Sequence, residues 1–122
     1  MSKVNQFLIF GILFFMLSCS KDETSNTNNS LDCSANKPTY KNDIASILNS
    51  SCALSGCHSA ASKSAGFDLS TFSGAKSASG SGSFLKSIKH ESGSSKMPQG
   101  GSKLPDATIT KIECWIKNGT PE

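Results

Sequence analysis

Apolar residues are unevenly distributed along the 122-residue chain. An unbroken run from Phe7 to Leu17 follows one early Lys and ends at Ser18-Cys19. Residues 20–38, SKDETSNTNNSLDCSANKP, are polar and offer little to bury. From residue 39 the pattern becomes periodic. Tyr40, Ile44, Ile47, Leu48 and Ser51 recur at intervals of three and four, which predicts one face of a helix over 39–51. Ile109, Ile112, Trp115 and Ile116 repeat the pattern over 105–118. There Pro105 suits a first turn, Asp106 and Lys117 match the two ends of the dipole, and Gly119 is a stop. Residues 59–96 between them are rich in Ser and Gly, with two short apolar pieces, Phe67-Asp68-Leu69 and Phe84-Leu85-Lys86-Ser87-Ile88. The second predicts a short helix running to His90. The chain is thus expected to divide into a leader (1–18), a tether (19–38) and one mainly α domain (39–122).

The large apolar set past residue 38 is short for a folded domain, and four of the seven Phe (Phe7, Phe10, Phe14, Phe15) lie in the leader. A domain this small needs a disulfide, a metal or a bound cofactor to supplement its core. The Phe7–Leu17 run is too short to cross a bilayer of roughly 30 Å as a helix and fits a secretory signal. Its ending, Met16-Leu17-Ser18-Cys19, resembles the bacterial lipoprotein signal, which implies lipidation at Cys19. The Ser-Lys-Asp-Glu that follows resembles the acidic surface-export signal of some bacterial lipoproteins. Net charge is only +3, and the chain has no Arg. Bidentate phosphate and base-edge contacts rely on Arg, so nucleic acid is not expected as a partner.

Export places the remaining thiols, Cys33, Cys52, Cys57 and Cys114, in an oxidising compartment. Cys52 and Cys57 sit in CALSGCH (52–58), a C-x4-C-H pattern, and Cys33 and Cys114 flank the folded region as the remaining pair. The common haem-attachment signal is C-x-x-C-H, in which two thiols reach the vinyl groups on one porphyrin edge and the next His turns under the iron. Here Cys57-His58 keeps the second half, and two additional residues lengthen the loop, which Gly56 leaves free to bulge. At the level of this segment three alternatives stay open. They are a Cys52–Cys57 disulfide with His58 incidental, a zinc site from Cys52, Cys57, His58 and His90, and a redox dithiol.

A haem held through one His needs a second axial ligand. A Met thioether is soft, favours ferrous iron and raises the potential. Met1 is the initiator and Met16 lies in the leader, leaving Met97 in Ser-Lys-Met-Pro-Gln-Gly-Gly (95–101). His90 is the competing ligand and would lower the potential. Taken together, YKNDIASILNSSCALSGCH (40–58), the Met97-Pro98 loop and ITKIECWIKNG (109–119) resemble the small monohaem cytochrome c domains of bacterial envelope lipoproteins. The likeness covers residues 39–120; the C-x4-C-H spacing is its main departure from the common pattern.

That resemblance implies a small class I cytochrome c-like fold around one covalent haem c. Cys52 and Cys57 would carry the thioethers, and His58 and Met97 the iron. The first and last helices would cross, setting aliphatic side chains against Trp115 and bringing Cys33 near Cys114. A bond between those two would contribute roughly 2–4 kcal/mol. The expected role is a one-electron carrier, lipid-anchored in the bacterial cell envelope (outer membrane, on its periplasmic or surface face), that meets redox partner proteins. Lys63, Lys86, Lys89, Lys96 and Lys103 flank the haem segments and would steer acidic partners. No paired carboxylates, nucleophile–base set or phosphate loop marks an enzyme. The rival expectations are a disulfide-stapled lipoprotein that binds a protein or ligand without haem, and a haem-based sensor in which Met97 yields to a small gas.

Overall fold

A computed structural model describes residues 31–122. The expected leader (1–18), the expected lipidation site Cys19 and the first part of the expected tether lie outside these residues. Thr39 opens the first helix. Its hydroxyl accepts from the Asn42 amide at 3.3 Å, and the Asp43 carboxylate accepts from the Thr39 amide at 3.0 Å. This reciprocal cap satisfies donors that a helix start leaves unpaired. The first turn, Tyr40–Ile44, is π-helical, because the Thr39 carbonyl accepts from both the Asp43 and the Ile44 amides. Helix α1, Ala45–Ser51, continues from it. Tyr40, Ile44 and Leu48 of the predicted stripe are buried, and Ile47 and Ser51 are half-buried.

A short 3-10 helix, Ser64–Gly66, and three more α-helices follow: α2 (Phe72–Ser79), α3 (Phe84–Lys89) and α4 (Asp106–Lys117). No strand occurs among the described residues, so the chain is mainly α there. None of their helices is long and apolar enough to cross a membrane. Helix α4 packs on the opening turn, and the Tyr40 ring lies 6.2 Å from Trp115 and 5.3 Å from Phe72. Trp115, Ile44, Leu48 and Ile112 are almost wholly buried, and Ala75 of α2 and Ile88 of α3 complete this core. Each large aliphatic sealed here contributes roughly 1.5–3 kcal/mol.

The α2 helix was not among the sequence expectations. It buries only Ala75, Ala78 and Ser79, so it has no stripe of large side chains to reveal it. Thr71 caps it by accepting from the Gly74 amide at 3.2 Å. A Cβ on Gly74 would lie 1.8 Å from the Asp68 carbonyl oxygen, so only glycine permits this approach.

Both ends of the domain are fastened to α4. Cys33 and Cys114 form a disulfide across 81 residues, with Cα atoms 5.2 Å apart. The Lys117 ammonium donates to the Leu31 carbonyl and the Asn118 amide to the Asn36 carbonyl. The segment read as the end of a tether therefore lies on the domain, and Cys33 and Pro38 are buried. The reason is that Cys33 is covalently held and the backbone on either side of it finds donors at the end of α4. At the other terminus the Pro121 carbonyl accepts from the Trp115 indole and the Tyr40 amide, both at 2.9 Å.

Candidate functional site

Helix α1 delivers Cys52 at its C-terminal cap, where its amide still donates to the Leu48 carbonyl. The loop to Cys57 turns at Gly56, whose φ of +78° favours glycine although nothing crowds the position. Leu54 at the loop tip is exposed. The His58 amide donates back to the Cys52 carbonyl at 3.1 Å, closing the loop, and the His58 carbonyl accepts from the Leu69 amide at 2.8 Å. The Ser64 amide donates to the Cys57 carbonyl at 3.0 Å. The two residues added between the thiols are thus accommodated as an outward bulge that returns Cys57-His58 to the end of α1.

A cavity of about 530 Å³ opens beside this loop. Pockets for cofactor-sized ligands occupy about 300–1,000 Å³. Its walls come from two stretches of chain, 51–69 and 78–99. The first brings Cys52, Cys57 and His58; the second brings Met97. Phe67 and Phe84 are among the apolar walls. Every predicted cofactor-binding and axial residue therefore lines one cavity.

Cys52 and Cys57 are both free thiols. Burial pushes the half-buried Cys52 thiol up to about 11, with the neighbouring Cys57 adding to the effect. Cys57 is exposed. The Nδ1 atom of His58 is buried without a hydrogen-bond partner, and so is the Ser94 hydroxyl on the other stretch of wall. Orphaned buried polar atoms are unfavourable; both belong to residues of the cavity wall, although neither atom is itself exposed there.

Met97 is half-buried and is held through its backbone: its amide donates to the Ser87 carbonyl at 3.0 Å. His90 caps α3 in the left-handed region (φ 59°) and does not line the cavity. Its Nε2 lies 3.0 Å from the Met97 carbonyl oxygen. The zinc alternative needs at least three converging ligands, and no such group of His, Cys, Asp or Glu forms among the described residues. Two of the five flanking lysines are engaged locally: Lys89 pairs with Glu113 and Lys103 with Asp106, each at 2.7 Å.

Sequence reasoning missed Ser87 and Ser94. Neither belongs to a spacing motif, and a serine in a serine-rich stretch carries no signal of its own. Comparison with protein-family models, curated proteins and solved structures finds no match to this chain.

Proposed function

We propose that the chain is a monohaem c-type cytochrome of the class I kind, a one-electron carrier lipid-anchored through Cys19 in the bacterial cell envelope. The observation that carries it is the convergence of two unbonded thiols, an imidazole and a thioether on the walls of one mainly apolar cavity. A disulfide protein without a cofactor has no need of such a set. A zinc site would need at least three His, Cys, Asp or Glu side chains converging on one ion, and no such group forms among the described residues, whereas haem iron is held mainly by its porphyrin and asks less of the protein.

Cys52 and Cys57 would hold a haem through thioether bonds, and His58 and Met97 would ligate its iron. When bound, the haem supplies the ferric–ferrous couple. The protein residues tune and shield that couple. Phe67 and Phe84 exclude water from the ring, and the Met97 thioether favours the reduced state. The disulfide and the Trp115 core hold the frame on which both loops stand. Lys63, Lys86 and Lys96 carry exposed positive charge and would draw acidic redox partners.

The test is a visible spectrum of the full chain purified from a host able to mature c-type cytochromes. A haem α-band that survives acid-acetone extraction is expected. A colourless protein would overturn the proposal in favour of a lipoprotein that binds a haem-free ligand in the same cavity. Met97→Ala is expected to lower the midpoint potential and open the iron to added imidazole; an unchanged spectrum and potential would remove Met97 from the iron.

A further inference from the structure

Both proposed iron ligands are gripped on each side of their own backbone. For His58 the grip is entirely main chain: its amide donates to Cys52 and its carbonyl accepts from Leu69. For Met97 the amide donates to the Ser87 carbonyl, which also accepts from the His90 amide at 3.2 Å. The second half of the Met97 grip is a side chain, the His90 ring, 3.0 Å from the Met97 carbonyl oxygen. A carbonyl oxygen can only accept, so His90 Nε2 carries the hydrogen.

We propose that His90 is a positioning residue for the distal ligand. From the end of α3 it latches the Met97 loop so that the thioether is presented to the cavity, without itself touching the iron. This rests on the haem carrier proposed above. The left-handed backbone at His90 contributes: it ends α3 and lets the next residues turn back toward Met97, the Glu91 amide donating to the Lys86 carbonyl at 2.9 Å. The loop is rich in Ser and Gly, so apart from the packing of Met97 against the core, two hydrogen bonds fix where its backbone stands.

The test compares wild-type holoprotein with His90→Asn and His90→Gln. Asn suits the left-handed region but is too short to reach the Met97 carbonyl; Gln reaches it with an N–H donor. Added imidazole competes with Met97 for the iron, and its affinity reads how firmly the thioether is held. His90→Asn is expected to bind imidazole about tenfold more tightly, the factor carried by one net hydrogen bond, with a lowered midpoint potential. His90→Gln is expected to stay within about threefold of wild type. Equal imidazole affinity and potential in wild type and His90→Asn would overturn the latch while leaving the haem carrier intact. A wild-type spectrum without a sulfur-to-iron charge-transfer band would also overturn it, by taking the thioether off the iron. A wild-type protein without a haem band would overturn the carrier itself, and the latch with it.

Discussion

Around Trp115 the side chains close on one another, whereas between the 51–69 and 78–99 stretches they leave a cavity of about 530 Å³. The two regions share a small chain and border each other through Ile88, which belongs to the core and also lines the cavity. The first is built from helix faces. Tyr40, Ile44 and Leu48 from one end of the domain meet Ile109, Ile112 and Trp115 from the other. The second is built from loops and from the ends of α1 and α2 and one side of α3, where many small residues are interspersed with a few large apolar ones and leave the space between them unfilled. The contrast separates two jobs that the shortage of large apolar residues had merged. A bound ring is not needed to give the terminal helices an interior; it would supply one only to the loop half. The frame stands on packing and a disulfide, and the site is left open by composition.

The comparison can be broken most directly at Trp115. Trp115→Ala removes a fully buried ring that also donates to the Pro121 carbonyl, and should destabilise the fold by about 3–5 kcal/mol in urea or thermal unfolding. Phe67→Ala, on the cavity wall, should lower the stability of the haem-free chain by less than about 1 kcal/mol while impairing haem retention. Equal losses at the two positions would mean that core and cavity are one cooperative unit. Second in size is the bond between Cys33 and Cys114, whose replacement by two serines should lower stability by roughly 2–4 kcal/mol. Intact mass measured before and after reduction should differ by two hydrogens for this bond; no change would show it absent.

The smallest effect concerns Cys52. In the haem-free folded chain burial pushes its thiol up to about 11 from an ordinary value of 9.0. The folded state therefore keeps the proton over a range where the unfolded state releases it. The stability this contributes is present below the unfolded value and is lost as pH rises from about 9 to about 11. Urea midpoints of the haem-free chain should fall across that window. At neutral pH Cys52 should alkylate more slowly than the exposed Cys57. Thioether formation removes the titratable proton, so the haem-loaded protein should show neither effect; a pH step that survives haem attachment would assign it elsewhere.

By itself the sequence determined the two terminal helices, the Cys33–Cys114 pairing and the residue types offered for a cofactor. Three- and four-residue periodicity, caps and cysteine arithmetic are local or combinatorial signals, and they survive without knowledge of the fold. The helix α2 was not legible, because its buried face is alanine and serine and its tight seat depends on the Asp68 backbone beside Gly74. The anchoring of residues 31–38 was not legible either, since polar composition says nothing about a carbonyl that finds Lys117 or Asn118 far along the chain. Only the tertiary structure decided that His58 and Met97, distant in the chain, line the same cavity, and that His90 lies outside it with its ring on the Met97 carbonyl. The physical reason is that side-chain chemistry is written residue by residue, whereas convergence depends on where loops are fastened. Here much of the fastening is done by backbone hydrogen bonds that any residue but proline can donate, and the rest by side chains such as His90, Lys117 and Asn118 that meet carbonyls elsewhere in the chain.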